Sequence, residues 1–218
     1  MSSAESLAAV QDRLFTGVIS DVLDSLGYKN QVAEVDLLQV VPGTRVVGLA
    51  RTARAVRVSA PPAEPYKYLL AAIDATGPGR VLVVAADSDT DSSLFGGLLA
   101  TAMRAAGGAG VVVDGYARDS DEIRRIGMPS LVRGFRPRDS YARDEVVEIA
   151  QPVTIGGVLV HEDDLIFGDE DGLVIVPAAI VPEVIEKALA KLDAESEMRT
   201  ALDGGMSVAT AFQTFGVL

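Results

Sequence analysis

The sequence predicts an α/β fold in one domain, and three observations carry that expectation. Two buried-strand runs, Val81-Leu82-Val83-Val84 and Val111-Val112-Val113, flank a helical pattern that opens at Gly96-Gly97 and runs to Arg104. That is the order of a strand, a crossover helix and a parallel strand. From Ser130 to Val176 the chain is rich in short strand patterns, and after Val176 it returns to helix. With 218 residues and 49% apolar content, it is long enough for one sizeable core, since domains commonly run to about 50 to 250 residues.

From Leu7 the apolar positions Val10, Leu14, Val18, Val22 and Leu26 recur at helical spacing, interrupted at Thr16-Gly17 and stopped by Gly27, which predicts two short helices. Between Val40 and Val58, Gly43, Val46-Val47-Gly48 and Ala53 to Val58 read as strands separated by turns. Pro61 to Pro65 is a loop, and a helix from about Tyr66 to Ala75 follows. Gly77-Pro78-Gly79 turns the chain into the first buried strand, and Gly107 to Gly110 hand the crossover helix to the second. A short helix is expected over 120–126, then strands at Ser130–Val132, Val146–Ile149, Val153–Ile155 and Gly157–Val160. Leu165–Phe167 and Leu173–Val176 around Asp171-Gly172 predict a hairpin. Val181, Val184, Ile185, Ala188, Leu189 and Leu192 form one apolar stripe on a charged helix, and Ser207 is placed to cap a final one.

Composition removes several classes of function. No uninterrupted apolar run reaches the roughly 18 residues that a membrane-spanning helix needs, and Met1 to Glu5 has neither the basic start nor the apolar core of a secretion signal. A cytoplasmic protein without a membrane partner is expected. There is no cysteine, so disulfides, thiolate metal sites and cysteine nucleophiles are excluded. A net charge of −12 disfavours nucleic-acid binding, which relies on clustered Lys and Arg to release counterions. A small anion needs only a local basic spot, and Arg118 with Arg124, Arg125 and Arg133 supplies a candidate.

The candidate site lies between Gly96 and Asp119. A glycine turn entering a helix leaves backbone N–H groups unpaired at the positive end of the helix dipole, which suits a carboxylate. Arg118 and Asp119 are expected just past the carboxyl end of the second buried strand, where open α/β sheets bind ligands. There Arg118 can grip a carboxylate in a two-pronged contact and Asp119 can hold a divalent metal. The competing reading is structural: Asp119-Ser120-Asp121-Glu122 fits a helix-capping pattern with Asp119 as the cap, and the glycines serve close packing.

Other motifs carry less. Asp87 to Asp91 looks like half of a calcium loop, but Ser92 stands where glycine is required and Leu98 where the bidentate glutamate should be. The acidic runs His161 to Asp164 and Asp169 to Asp171 read as solvated turns, and His161 is the only histidine, so a zinc site or serine triad built on it is not expected. No P-loop, nucleophile elbow or dinucleotide fingerprint is present. Glu195 and Glu197 lie beyond the apolar stripe of the C-terminal helix, on a solvated face unless a neighbouring subunit covers it.

Thr16 to Asp24, Val47 to Thr52, Gly96 to Ala100, Val113 to Asp119, Gly168 to Pro177 and Phe215 to Leu218 together resemble the RraA-like proteins, which include the class II pyruvate aldolases acting on 4-hydroxy-4-methyl-2-oxoglutarate. The resemblance spans most of the chain. It implies one domain over 1–218, an α/β/β sandwich of the phosphohistidine swivelling type, assembled as a homotrimer or a pair of trimers with sites between subunits. The C-terminal helices, about 178–215, would contact the neighbour. By the same resemblance Asp119 would bind Mg²⁺ or Mn²⁺, Arg118 would hold the pyruvate end of a 2-oxo acid substrate, and Leu98 and Leu99 would offer backbone N–H groups. Glu195, or failing it Glu197, would reach in from the neighbouring chain.

One departure stands out. Aldolase members usually place an acidic residue, ordering a water near the metal, where this chain has Gly97; regulatory members that bind a ribonuclease lack the metal-binding aspartate, which this chain keeps as Asp119. The implied activity is therefore a metal-dependent lyase, an aldolase or oxaloacetate decarboxylase, with decarboxylation making less demand on the acid–base machinery. The alternative is a non-catalytic regulator of a ribonuclease or another protein. A methyltransferase finds no cofactor-binding glycine fingerprint.

Overall fold

The β-branched runs form the centre of the molecule. In the computed structural model, which describes residues 11–217, they become β3 (Arg80–Ala86) and β5 (Gly110–Ala117), parallel neighbours in a nine-stranded sheet. In chain order the elements are α1 (Thr16–Ser25), β1 (Leu38–Gln39), β2 (Val46–Arg57), α2 (Lys67–Asp74), β3, β4 (Ser93–Phe95), α3 (Gly97–Ala105), β5, α4 (Ser120–Ile126) and β6 (Ser130–Phe135). They continue with β7 (Asp144–Ile149), β8 (Val153–Ile155), β9 (Val158–Val160), β10 (Leu165–Gly168), β11 (Leu173–Val176), α5 (Val181–Asp203) and α6 (Val208–Phe215).

The main path of the sheet is β1-β6-β5-β3-β2-β10-β11, with β4 added beside β5 and β7 beside β2. Its centre, β2, β3, β5 and β6, is parallel, whereas β10 and β11 close it as an antiparallel hairpin. On one face α2, α3 and α4 bury Leu69, Ile73, Met103 and Ile123 against Leu82, Val84, Val111 and Val113. On the other, the β8–β9 hairpin brings Val153, Ile155 and Val160 over Val81, Val83 and Val112. A third cluster packs α1 and the first half of α5 on β10 and β11 through Ile19, Leu23, Phe167, Val176 and Val184. The result is the expected α/β/β layering of one domain: a curled sheet with flanking helices.

Three local expectations are sharpened or corrected. The helix expected after the break at Thr16-Gly17 begins at Thr16 itself, because the Asp169 carboxylate takes both the N–H and the hydroxyl of Thr16, at 2.8 and 2.7 Å, and fixes the start there. Residues 11–13 form a turn, and the remainder of the first expected helix, like the N-terminal segment Met1 to Glu5, lies outside the described residues. The several strands expected between Val40 and Val58 are one 12-residue strand, β2. Gly48 does not end it: a Cβ there would lie 2.6 Å from the Gly79 carbonyl oxygen, so glycine is what allows β2 to run beside the turn into β3. Third, the acidic turns are not simply solvated. Asp164 is buried and accepts the N–H groups of His161 and Ala178, and Glu162 pairs with Arg51 at 2.9 Å. The final cap is as expected, with Ser207 Oγ accepting the N–H of Thr210 at 3.2 Å.

Candidate active site

Strand β5 ends at Ala117, and the next two residues turn sharply into α4. Asp119 stands at the position before the helix with φ 56° and ψ 40°, in the left-handed region, an uncommon and costly conformation for a residue other than glycine, best tolerated by Asn and Asp. From there its carboxylate does not cap α4. Oδ2 instead accepts the N–H of Gly97 at 3.2 Å and lies 3.7 Å from Arg118 Nε, while Oδ1 has no partner among the described residues. The capping reading of Asp119 is thereby set aside.

Arg118 and Asp119 form the wall between two depressions. The first, about 240 Å³, lies against the start of α3 and is lined by Gly96, Leu98, Leu99, Tyr66 and Asp139 as well as the pair. Gly96 before helix α3 offers no side-chain cap; Asp119 takes the Gly97 N–H, and the N–H groups of Leu98 and Leu99 have no partner among the described residues. These are the orphan donors of a helix N-terminus, at the positive end of its dipole. Leu98 is 83% exposed at the mouth. The glycines have a geometric role here: a Cβ on Gly96 would lie 2.9 Å from Asp119 Oδ2, and a Cβ on Gly97 would overlap the Glu122 carboxylate. The space that a side chain at position 97 would fill is occupied by Glu122 of α4.

The second depression, about 300 Å³, lies on the far side of the pair and is lined by Ser120, Phe135, Arg136 and Pro137. Arg136 stacks over Tyr116, 4.2 Å from the ring centroid, and pairs with Asp91 at 3.5 Å. The expected basic spot is thus differently built. Arg133 pairs with the buried Asp114, which raises its pKa further, and Arg124 pairs with Asp121 at 2.8 Å. Arg136 takes their place, a residue remote from the motif that only the β5–β6 pairing brings to it.

The structure brings Gly96, Gly97, Leu98, Leu99, Arg118 and Asp119 together. Glu195 is elsewhere in the chain, on α5, beside Arg13 and Arg199 and 3.8 Å from Lys191. A divalent cation fits the residues present in one way: the Asp119 Oδ1 is an unengaged hard oxygen beside a cavity, suited to Mg²⁺ or Mn²⁺ that keeps water or substrate oxygens as its remaining ligands. No group of three or more His, Asp or Glu side chains among the described residues is arranged to hold a metal. None of the described helices is long and apolar enough to cross a membrane.

The family model "RraA-like: Aldolase/RraA" matches residues 16–175. The chain belongs to the RraA-like family. Among its RraA-like relatives, a putative 4-hydroxy-4-methyl-2-oxoglutarate aldolase of Halalkalibacterium halodurans is 32% identical over 210 residues, 95% of each chain. An uncharacterized protein from Pseudomonas syringae superposes with a TM-score of 0.82 at 29% identity, over 95% of this chain and 96% of that one. Streptomyces coelicolor RraAS2, described as an unusual member of the RNase ES inhibitor RraA protein family, gives 0.79 at 29% identity over 90% and 98%. The RraA-like match includes the whole of the site from Gly96 to Asp119.

Proposed function

We propose that the protein is a divalent-metal-dependent lyase that cleaves the carbon–carbon bond next to a 2-oxo acid and releases pyruvate, in the manner of a 4-hydroxy-4-methyl-2-oxoglutarate aldolase or an oxaloacetate decarboxylase. The observation that carries this reading is the strained, non-capping Asp119, whose backbone conformation aims an unengaged carboxylate oxygen at a cavity that also holds Arg118 and the open N-terminus of α3. Strain of this kind persists where the surroundings enforce it and concentrates at working sites.

A cation bound at Asp119 supplies Lewis acidity toward the keto oxygen as charge develops there, an effect worth several kcal/mol in such roles. The remaining work falls to side chains and backbone. Arg118 pairs with the substrate carboxylate and orients it, joined by the N–H groups of Leu98 and Leu99. Loss of CO₂ from oxaloacetate, or of the aldol fragment as a carbonyl compound once its hydroxyl proton has passed to water, leaves the pyruvate enolate, which is protonated at its terminal carbon. Glu122, in the space of a position-97 side chain, is the carboxyl group placed to order the water that moves this proton. Arg136 in the adjoining depression meets the far carboxylate of a two-headed substrate. Assembly as a homotrimer or a pair of trimers, with Glu195 of α5 lent to the neighbouring site, belongs to the same proposal.

A second reading has its own support. RraAS2, at an identity close to that of the aldolase-named relative, is described by its ribonuclease-inhibitor family, and a non-catalytic regulator needs nothing beyond family membership. By resemblance alone it is the better backed of the two; the geometry of Asp119 is what favours the enzyme. Pyruvate release from oxaloacetate, and separately from 4-hydroxy-4-methyl-2-oxoglutarate, measured with Mg²⁺ or with chelator, decides between them. Release that needs both the metal and Asp119, with Asp119→Ala as control, supports the lyase. No turnover of either substrate above the metal-only background overturns it in favour of the regulator.

A further inference from the structure

The wall of the cavity opposite α3 carries an arrangement that the reaction outlined above does not use. Tyr66, the residue before α2, has φ 62° and ψ 7°, a left-handed conformation that a bulky aromatic residue adopts only under constraint. Its hydroxyl donates to Asp139 Oδ2 at 2.9 Å, and the same oxygen accepts the N–H of Tyr141 at 3.3 Å. The other carboxylate oxygen, Oδ1, lies 3.4 Å from Arg118 Nη2. Asp139 is itself anchored, bridging to Ser93 at the start of β4, while Ser93 N–H donates to the Arg138 carbonyl at 2.9 Å. Tyr66 packs against Tyr141 with ring centroids 6.3 Å apart.

We propose that Tyr66 and Asp139 form a clamp that positions Arg118, fixing which edge of its guanidinium faces a 2-oxo acid. The Asp119 carboxylate lies 3.7 Å from Nε and the Asp139 carboxylate 3.4 Å from Nη2, so two ion pairs flank one edge of the guanidinium and Nη1 is left without a partner among the described residues. A guanidinium free to rotate would offer either edge; one whose Nε–Nη2 edge is flanked by two carboxylates turns its end-on pair of N–H groups outward, the fork that matches a carboxylate. Tyr66 is suited to hold Asp139 at any ordinary pH. Burial, then the hydrogen bond to Asp139, pushes its hydroxyl pKa up to about 12, so it remains a donor. Tyr66 is a positioning residue, since it acts through Asp139 and Arg118.

The inference rests on the reading of Arg118 as the carboxylate grip, and the test separates the two. Pyruvate affinity is measured by titration calorimetry, or by NMR titration where binding is weak, in Mg²⁺ for the full chain and for Tyr66→Phe, Asp139→Asn, Arg118→Lys and the double variants with Arg118→Lys. Tyr68→Phe, an exposed tyrosine of the same helix, is the control. Removing the Tyr66 hydroxyl or the Asp139 charge is expected to weaken pyruvate about 5- to 10-fold, with no further loss in the Arg118→Lys background and no change in Tyr68→Phe. Equal losses in both backgrounds mean that Tyr66 acts on the fold and not through Arg118, and overturn the clamp. Full affinity in both Tyr66→Phe and Asp139→Asn overturns it as well, leaving the lyase reading intact. Unchanged affinity in Arg118→Lys defeats the grip itself, and the clamp with it.

Discussion

Asp119 aims its carboxylate at a helix that is not its own: Oδ2 accepts the N–H of Gly97, 3.2 Å away at the start of α3. This contact ties the end of β5 to the mouth of the cavity and leaves α4 without a side-chain cap.

Because Asp119 is held at positive φ and its side chain does not cap its own helix, Asp119→Gly relieves backbone strain that outweighs the loss of the long Gly97 N–H contact. It is expected to raise the melting temperature by about 2 to 4 °C, corresponding to about 1 kcal/mol, while abolishing Mn²⁺ binding. Asp119→Asn, which tolerates the same backbone, should leave the melting temperature unchanged and also lose the metal. A fall in stability in Asp119→Gly would instead show that the contact with the Gly97 N–H outweighs the backbone strain. Differential scanning calorimetry and Mn²⁺ EPR titration read the two effects.

Glu122 fills the volume above Gly97. If its carboxyl handles the proton, Glu122→Ala should lower metal-dependent pyruvate release by about 100-fold without changing pyruvate affinity. The double variant Gly97→Asp/Glu122→Ala, which sends a carboxylate into the vacated space from the other side, should recover a large part of the rate. Steady-state kinetics on oxaloacetate give the kcat and KM needed.

Arg136 is held over Tyr116 and faces the second depression. Arg136→Gln is expected to raise KM for oxaloacetate about 10-fold and to leave the inhibition constant of pyruvate, which has one carboxylate, unaltered. Equal effects on the two ligands would remove Arg136 from the recognition of the far carboxylate.

Glu145 of β7 is 7% exposed, and burial raises its carboxyl pKa, partly offset by the backbone N–H of Tyr66. A carboxyl with a raised folded-state pKa binds more protons folded than unfolded, so stability is lost as pH rises through that interval. Glu145→Gln should therefore melt about 1 to 3 °C higher than the parent chain near neutral pH, with the difference vanishing below the ordinary carboxylate range. Thermal melts from about pH 4 to about pH 8 test the sign.

The parts of the fold visible in the sequence are those with a local cause. Val81 to Val84, Val111 to Val113, the glycine turn at Gly96-Gly97 and the Ser207 cap each announce themselves within a few residues. Strand β2 does not, because Gly48 reads as a turn until its contact with Gly79 is known, and Ser93 to Phe95 are too few to show a period. The site divides along the same line. Arg118 and Asp119 follow their strand directly, and Leu98 and Leu99 follow their glycines. Tyr66, Asp139 and Arg136 have no motif, since only the tertiary arrangement sets α2 and the segments around β6 beside Arg118. Glu122 was visible, but as a capping partner for Asp119, and that pattern is not formed.

The overlap of positions 97 and 122 bears on how relatives of this chain are compared. Two positions compete for a single volume, so an acid at one requires a small residue at the other. Counted by position, this chain has no carboxylate at Gly97; counted by volume, it has one there, supplied by Glu122 of the next helix. Substitutions at the pair should be selected together, and chains carrying bulk at both positions should be rare.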